Sequence, residues 1–583
     1  MHAFKKALYR YPIRFLLLGI LVLALFLRFW DLGGIPAGLH DDEVANAYVG
    51  KYSLIHGVDL YGNPFPLLYF DKFGDYPPVL PMYLSGAGAL LFGDTVFGAR
   101  FFHALAGAVT IVPAYLLGLL VFRRKKTALL AAFFTALLPW HLVLSRTSAE
   151  GVVASFVFLC GIVAVLCGIS RSSTNGALIA VGGFTGLMLT YLLYPGYRVI
   201  VPLALLPLPL MLAARRHRKP VLLAGLLAVV VAFAATGLIF RTEWGKGRFQ
   251  QTSIFTSAFD IEGKLQRLIF NEDSILIARI FNNKVVGYSR GLVESYLTYW
   301  SPGFLFFEEG QSKHYSVPMH GVAYLVFIPL LLAIVRFVWT QKEPLRIRSV
   351  QAWFFWLLLI APIPAALTAT ESPNIHRSLP FGLLLTIAAA YGFTLLERFP
   401  KPEYRKRRIP VVEGILAVVL AVEVVFFMHA YYQHASMYTA PFRNSGNKEL
   451  VEYLVRERGN YGRAIISNDQ RWLPVHYLYY TSQYPRELAG TFGKNFRVSR
   501  LDNLEFSEIV CPTVTAWESY QQTGTVPDPS VLYVEPIGCK EGRVANKYDD
   551  RFTYIETIKR TDFSDAFYVL RWNVQQGLRT RAE

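Results

Sequence analysis

The stretch FGARFFHALAGAVTIVPAYLLGLLVFRRKK, residues 97–126, decides the fold. Residues 97–122 are predominantly apolar, and the basic run at 123–126 follows without a break. A helix needs about 20 apolar residues to cross the hydrocarbon core of a bilayer. Basic clusters at the end of such a helix stay on the cytoplasmic side. This stretch is therefore predicted to cross a membrane inward and to end inside the cell.

The apolar run before it, residues 79–92, is too short for a crossing. If it crossed, the cluster at 123–126 would lie outside and every later basic cluster would change side. We therefore predict that 79–93 is a helix lying at the membrane interface. Pro77 and Pro78 begin it, and Gly93 ends it.

The other apolar runs then alternate in direction, with basic clusters at 215–219, 342–348 and 398–408 inside. The first run follows Lys5, Lys6 and Arg10 and is interpreted as a retained anchor, because no cleavage site follows closely. The N-terminus is predicted inside and the C-terminus outside. The sequence predicts about eleven spans: 13–30, 97–122, 127–144, 151–170, 176–194, 199–214, 221–240, 321–339, 352–369, 379–396 and 411–430.

The composition agrees with a membrane protein. Of 583 residues, 53% are hydrophobic and 17% are charged, whereas a soluble chain carries roughly 25% charged residues. An ordinary soluble enzyme and a disordered chain are both excluded. The formal charge of +17 is carried by clusters between apolar runs, which favours cytoplasmic loops over nucleic-acid binding.

Three polar segments fall outside under this topology: 31–76, 241–318 and 431–583. The predicted fold class is a polytopic α-helical membrane domain, 1–430, followed by an extracytoplasmic α/β domain, 431–583. In the second domain we predict a helix at 448–458 and strands at 463–467, 531–534 and 566–571. Cys511 and Cys539 both lie there and can pair outside the cytoplasm.

The sharpest cluster of ionisable residues is His40-Asp41-Asp42-Glu43, at the start of an apparent amphipathic helix, 44–56. One interpretation is helix capping, since acids stabilise a helix N-terminus. The other is chemical: a carboxylate here can act as a general base for a hydroxyl acceptor. With His40, or as the pair Asp41 and Asp42, it can also bind a divalent cation such as Mg²⁺ or Mn²⁺.

Four arginines lie at the predicted outer ends of spans, against the positive-inside tendency. Arginine suits bidentate phosphate contacts, so the set indicates a phosphate-bearing ligand at the outer surface. The alternative is snorkelling or pairing with acids. The aromatic run 299–310 can stack sugars or dock at the interface. Glu413 and Glu423, in the last span, are interpreted as solvated helix ends. The four arginines are Arg100, Arg146, Arg198 and Arg377.

In order along the chain, these motifs resemble the GT-C membrane glycosyltransferases, and most closely the branch of bacterial protein O-mannosyltransferases and aminoarabinose transferases. The resemblance covers about the first 430 residues. The matching residues are Asp42-Glu43, Tyr76-Pro77-Pro78 with Tyr83 and 91–93, Ala99-Arg100, Pro139-Trp140-His141 with Ser145-Arg146, 194–198 and His376-Arg377-Ser378-Leu379-Pro380.

The resemblance implies a GT-C fold and a sugar donor carried on a polyprenyl phosphate. Asp42, with Glu43 beside it, would deprotonate an acceptor hydroxyl, which attacks the anomeric carbon with inversion while lipid phosphate leaves. Some relatives have Lys before the Pro-Pro pair, where this chain has Tyr76; Lys72 can substitute, or Arg198 or Arg377 can carry the charge. Implied donor-phosphate ligands are Arg198, Arg377, Arg146, Arg100 and Lys72; implied substrate contacts are His40, Tyr76, His141, Tyr194, His376 and His314.

The implied partners are the lipid-linked donor, membrane lipids and a glycan, lipid or protein acceptor, at the outer side of a bacterial inner membrane. Two other enzyme or transport classes stay open: a lipid-linked oligosaccharide polymerase or ligase, and a lipid-linked glycan flippase. A flippase predicts charges within the spans, whereas the ionisable groups here gather outside them. A non-catalytic binding role for the C-terminal domain is a further alternative, and it predicts no effect of Asp42→Asn.

Overall fold

The computed structural model describes most of the chain. The described residues are 12–72, 75–171, 173–213, 219–255, 265–266, 268–269, 274–308, 312–340, 349–396, 411–467, 472–488 and 500–573. The basic clusters at 215–218, 342–348 and 398–408 lie outside these ranges, as do Lys5, Lys6 and Arg10. The direction of each span therefore stays a prediction.

Within the described ranges, eight helices are long and apolar enough to cross a membrane. The number becomes nine if Lys125–Leu137 and Pro139–Ser145, which meet at a 53° bend, form one span. Pro139 causes the bend, because its ring cannot continue the preceding helix. The eight are Pro12–Phe29, Val96–Phe122, Glu150–Ser170, Thr174–Leu192, Val221–Ile239, Ser349–Ala366, Leu379–Leu396 and Val411–Tyr438.

The predicted count of eleven spans is confirmed only in part. Residues 199–214 and 321–339 do contain helix, but the helices are too short for a crossing: Tyr197–Leu205, Leu208–Ala213 and Phe327–Thr340. Pro207 separates the first two. Before the third, the Glu423 carboxylate accepts the N–H groups of Leu325 and Val326 at 2.7 and 3.1 Å. Glu423 thus satisfies unpaired backbone donors, as at a helix N-terminus, and is not a merely solvated helix end.

Residues 31–93, named the first external segment after their predicted side, form two packed helices, Asp41–His56 and Val79–Phe92. The second begins after Pro78 and ends before Gly93, as predicted; its position in the membrane is untested. The first was predicted to be amphipathic, but it is buried on nearly every side. Gly50 and Gly86 meet where the helices cross, and a Cβ on either would collide with the other helix's backbone. Only glycine permits this approach.

The remaining helices before the last span are short or lie between spans. Within the described part of 241–318, three helices with assigned bounds follow Val221–Ile239, and Ser349–Ala366 is built from two helices. Their bounds are Glu243–Thr252, Ile275–Phe281, Lys284–Thr298, Ser349–Ile360 and Ile363–Ala366.

The C-terminal domain is a six-stranded mixed sheet, in the order β2-β3-β1-β4-β6-β5. The predicted strands 463–467, 531–534 and 566–571 are β1, β4 and β6; β2, β3 and β5 were not predicted. Cys511 and Cys539 form the disulfide that the sequence allowed. The strands are β1 Arg463–Ser467, β2 Arg500–Leu501, β3 Leu504–Ser507, β4 Val531–Pro536, β5 Phe552–Lys559 and β6 Asp565–Trp572; the helices are Asn447–Arg456, Leu473–Tyr480, Pro512–Thr523 and Cys539–Ala545.

The two domains share one buried apolar cluster at the first external segment. Val475, Leu478 and Tyr479 of the C-terminal domain pack among residues of Asp41–His56 and Val79–Phe92. The Tyr479 hydroxyl donates to the Thr95 carbonyl at 2.9 Å. Because apolar burial is the main stabilising term in folding, the C-terminal domain holds the first external segment in place.

Candidate active site

A cavity of about 430 Å³ opens beside the start of Asp41–His56. Its walls come from segments far apart in sequence: the first external segment, the N-terminus of Glu150–Ser170, the turn before Tyr197–Leu205, and loops around 314 and 370. All of these lie at helix ends. The cavity therefore lies where the helices of the membrane domain meet the loops that connect them.

Asp42 presents its carboxylate to this cavity. Two neighbours perform the capping: His40 Nδ1 accepts the Asp42 N–H at 3.3 Å, and Glu43 accepts the His40 N–H at 3.1 Å. Because the cap uses His40 and Glu43, the Asp42 carboxylate is not needed for it. The Asp42 side chain is 57% exposed, and its residue lines the cavity.

Glu43 also lines the cavity, but its carboxylate is buried in an ion network. Its oxygens accept from Arg100 Nε at 2.9 Å, from the Ser148 N–H at 2.9 Å and from Arg443 Nη2. Burial alone would raise the pKa of Glu43, but the charges of Arg100 and Arg443 outweigh it and hold that pKa well below its usual range. The prediction that Glu43 shares in the chemistry is not supported, since its oxygens are occupied and it binds protons poorly.

Lys72 lies directly on Asp42. Its Nζ donates to Asp42 Oδ1 at 2.8 Å and to Asn46 Oδ1 at 3.5 Å, and its side chain is only 4% exposed. Burial opposes the charge, but Asp42 and Asp75 overcome it and raise the pKa of Lys72. Lys72 is therefore a held cation at the cavity wall. Tyr76, predicted as a substrate contact, instead packs its ring edge-on against Tyr69.

Arg100, Arg146 and His141 do not line the cavity, which corrects three predicted ligands. Arg100 is fully buried and donates to the Leu32, Pro36 and Gly38 carbonyls as well as to Glu43. Arg146 is fully buried and donates to the carbonyls of residues 27, 30, 31 and 35. His141 is fully buried, with Nδ1 2.9 Å from Arg28 Nη2. All three therefore hold the fold together.

The other predicted ligands do meet at the cavity. Arg198 lies over the Trp244 ring, 4.8 Å from its centroid, and Arg377 donates through Nη1 to Thr368 and to Thr370. Among the described residues, Arg198 Nε has no hydrogen-bond partner. Tyr194 packs on the His376 ring, with centroids 4.9 Å apart.

His314 stacks on the His40 ring, with centroids 4.5 Å apart and planes 19° from parallel. Burial, together with the charges of His40 and Arg443, lowers the pKa of His314 to about 2. The ring is therefore neutral at physiological pH. It offers a flat, uncharged surface at the cavity wall.

Sequence reasoning missed Glu150 and Tyr315, both of which line the cavity. Glu150 Oε1 accepts from Asn46 Nδ2 at 3.0 Å, and Oε2 lies 3.6 Å from His376 Nε2. His376 Nε2 itself accepts the Gly151 N–H at 2.9 Å, which fixes that nitrogen as an acceptor. An acid at the outer start of a span was the available signal for Glu150. Tyr315 follows His314 directly, and no sequence signal distinguished it.

The described residues do not group as a divalent-cation site. No cluster of three or more His, Cys, Asp or Glu side chains among them could hold a metal ion. The predicted pair diverges: Asp41 Oδ1 accepts from Asn444 Nδ2 at 2.5 Å, whereas Asp42 Oδ1 receives Lys72. The Lys72 ammonium already supplies positive charge at Asp42, and a divalent cation there stays a prediction.

The class of protein defined by this fold and cavity is a multi-pass membrane protein with an acidic site at the loops between its helices. A family model described as dolichyl-phosphate-mannose-protein mannosyltransferase matches residues 19–191. An undecaprenyl phosphate-alpha-4-amino-4-deoxy-L-arabinose arabinosyl transferase of Pseudomonas paraeruginosa is 29% identical over 196 residues. That alignment covers 33% of this chain and 34% of the relative, so the chain matches about a third of the relative's length.

Solved structures of similar architecture come from archaea and bacteria. One is the oligosaccharyltransferase AglB from Archaeoglobus fulgidus with an inhibitory peptide and a dolichol-phosphate: 14% identity, TM-score 0.49, 96% of this chain and 74% of that chain. Another is ArnT from Cupriavidus metallidurans bound to undecaprenyl phosphate: 14% identity, TM-score 0.45, 96% of this chain and 98% of that chain.

The sequence match at 19–191 includes Asp42, Lys72 and Glu150, three residues of the cavity wall. The resemblance to the GT-C superfamily of membrane glycosyltransferases is confirmed.

Proposed function

We propose that this protein transfers a monosaccharide from a polyprenyl-phosphate donor to an acceptor hydroxyl at the extracytoplasmic face of a bacterial inner membrane. The observation that carries the proposal is the exposed Asp42 carboxylate, paired with the buried Lys72 in a cavity that Arg198 and Arg377 also line. The sequence relatives support it, since both of their names specify a sugar on a lipid phosphate.

In the proposed reaction, Asp42 accepts the proton of the acceptor hydroxyl. The hydroxyl oxygen then attacks the anomeric carbon from the side opposite the lipid phosphate, so the configuration inverts. The bond between that carbon and the phosphate oxygen breaks, and polyprenyl phosphate leaves with the electron pair. Positive groups placed where this charge develops lower the barrier, and we assign this role to Lys72, Arg198 and Arg377.

In such a site, the Lys72 ammonium can pair with either the Asp42 carboxylate or the donor phosphate. Without donor it lies on Asp42, and a cation this close favours the charged carboxylate and weakens it as a base. A donor phosphate would compete for the same ammonium. Donor binding would thereby release Asp42 for proton transfer, so the base would gain strength only when a donor is present.

The test uses purified protein in lipid with a panel of polyprenyl-phosphate monosaccharides, and follows release of polyprenyl phosphate. We expect release with one donor and a fall in kcat of about 100- to 10,000-fold in Asp42→Asn, the usual range for loss of a general base. Asp31→Asn is the matched control, because Asp31 is an exposed acid of the same external segment, bonded to the Gly34 N–H.

Three results would change the proposal. No release from any donor, with acceptors supplied, would contradict the donor class. Release that survives Asp42→Asn would move the base elsewhere, to one of the other acids that line the cavity: Glu43, Asp75, Glu150 or Glu371. Turnover that is abolished by a chelator and restored by Mg²⁺ or Mn²⁺ would support the prediction that Asp41 and Asp42 bind a metal ion.

A further inference from the structure

Residues 443–445 connect the last span to the sheet domain and lie against the acidic motif. Arg443 ends the short turn Ala440–Arg443, and its side chain is fully buried. The Gly38 Cα approaches this turn so closely that a Cβ there would come within 2.6 Å of the Arg443 carbonyl oxygen. The residues just before the motif are therefore in direct backbone contact with a segment some 400 positions later.

Arg443 joins two separate external segments. Its Nη2 donates to the Glu43 carboxylate, and its Nη1 donates to the His314 carbonyl at 3.0 Å. Glu43 also accepts from Arg100, which donates through Nε to Oε1 at 2.9 Å and through Nη2 to Oε2 at 3.2 Å, the oxygen that accepts from Arg443. Glu43 is thus held between one arginine from the start of a span and one from the approach to the C-terminal domain.

The next residue extends the same contact. Asn444 Nδ2 donates to Asp41 Oδ1 at 2.5 Å, and His476 of the sheet domain lies 3.6 Å from the same oxygen. Both neighbours of Asp42 are therefore held by residues that follow the last span. The position of Asp42 is therefore set by Asp41 and Glu43 on either side and by the ion pair with Lys72.

We infer that Arg443 is a positioning residue: it fixes the turn that carries Asp42 in the orientation that proton transfer needs. The inference rests on the proposed function and adds that the segment leading to the C-terminal domain completes the site. Arg443 does not line the cavity, so it acts through Glu43 and His314 and not on the substrate. A side chain of this kind alters the rate of the chemical step more than donor binding.

The test compares Arg443→Met and Arg443→Lys with Arg543→Met. Arg543 is the matched control, since it is a fully buried arginine in an ion network with Glu535 and Asp549, but lies wholly within the sheet domain. Thermal unfolding gives the folded fraction of each variant, and kinetics gives kcat and the donor KM per folded molecule. Hydrogen exchange at the amides of residues 40–43 reports directly on the turn.

We expect Arg443→Met to lower kcat by about 100-fold, the effect of misplacing a reacting group by about 1 Å, with little change in donor KM. Exchange at 40–43 should speed up. Arg443→Lys should fall between Met and wild type, because its ammonium keeps the charge but lacks the planar fork that reaches two acceptors. Arg543→Met should lower the unfolding temperature while leaving kcat per folded molecule and exchange at 40–43 as in wild type.

Unchanged exchange at 40–43 in Arg443→Met would overturn the inference, as would an equal loss of kcat in Arg543→Met, which would indicate general destabilisation. If the wild type releases no lipid phosphate, the proposed function fails, and the exchange experiment still decides whether Arg443 holds the turn.

Discussion

Two pairs of arginines near the acidic motif have different surroundings. Arg100 and Arg146, named the floor, lie beneath the first external segment, and Arg198 and Arg377, named the wall, line the cavity. In the floor, Arg100 and Arg146 are fully buried and donate to backbone carbonyls and to Glu43. In the wall, Arg198 and Arg377 line the cavity and donate to one backbone carbonyl each, those of Tyr191 and Thr370; Arg198 also stacks on Trp244, and Arg377 also donates to the Thr368 hydroxyl. The sequence gives no sign of this division, since all four stand at the outer ends of apolar runs.

The difference follows from what surrounds each arginine. The chain between the first span and the acidic motif turns tightly, and its carbonyls at 27, 30, 31, 32, 35, 36 and 38 face Arg100 and Arg146. Buried carbonyls need donors, and a guanidinium brings five N–H groups. Position at the predicted outer end of a span therefore does not distinguish the floor arginines from the wall arginines. The number of backbone carbonyls around each guanidinium distinguishes them.

The largest expected effect comes from breaking the floor. Arg146→Met removes four hydrogen bonds from a buried charged donor to backbone carbonyls. We expect it to lower the free energy of unfolding by at least about 3 kcal/mol, because each such bond contributes about 1.5–3 kcal/mol. Thermal unfolding of the purified protein in detergent measures this. Donor KM of the folded fraction should stay as in wild type; a large rise in KM would place Arg146 with the cavity arginines.

A smaller effect is expected from the wall, and on a different quantity. Arg198→Gln and Arg377→Gln should each raise the donor KM by about 10- to 100-fold, the equivalent of one charge-assisted hydrogen bond to phosphate. Their unfolding temperatures should fall less than that of Arg146→Met, since fewer buried groups lose a partner. Steady-state kinetics with varied donor checks both. An unchanged KM in both variants would leave Lys72 as the donor-phosphate ligand.

The smallest effect concerns His314, which lies between floor and wall. Its folded pKa is lowered to about 2, whereas an unfolded imidazole takes up a proton below about pH 6.5. Folded protein is therefore penalised as pH falls from about 6.5 towards 2, and the stabilisation of the neutral ring is fully present above that window. His314→Gln should lose about 1 kcal/mol less stability than wild type between pH 7 and pH 5.5. Denaturant unfolding at the two pH values measures this, and an identical loss in both proteins would contradict it.

Much of the fold was predictable because membrane spans are a local property. A run such as 379–396 carries its whole signal in its own apolar length, and the structure has the helix Leu379–Leu396 there. The failures had two kinds of cause: Pro207 locally divides one apolar run into short helices, whereas Glu423 makes a long-range contact from another span to 325–326. In the sheet domain, β2 and β3 are too short to show alternation.

The site was predictable only where a motif is contiguous. Asp42 stands in a run of acids, and the capping interpretation proved right for its neighbours while leaving Asp42 open. Glu150, Tyr315 and Arg443 reach the same region through long-range packing. No pattern in the sequence around these three residues indicates that they lie at the site. A pairing such as Glu43 with Arg443 is a property of the assembled molecule.

The pairing of Glu43 with Arg443 also constrains the order in which the acidic motif is assembled during synthesis. The two residues are separated by 400 positions, so the ribosome makes the acid long before it makes the second cation that holds it. Chains fold from the N-terminus as they are synthesised. While the spans insert one after another, the turn at 40–43 can be held by Arg100, Lys72 and the Ser148 N–H, but not yet by Arg443 or Asn444. The acidic motif therefore reaches its final packing only after residues 443–444 have been made.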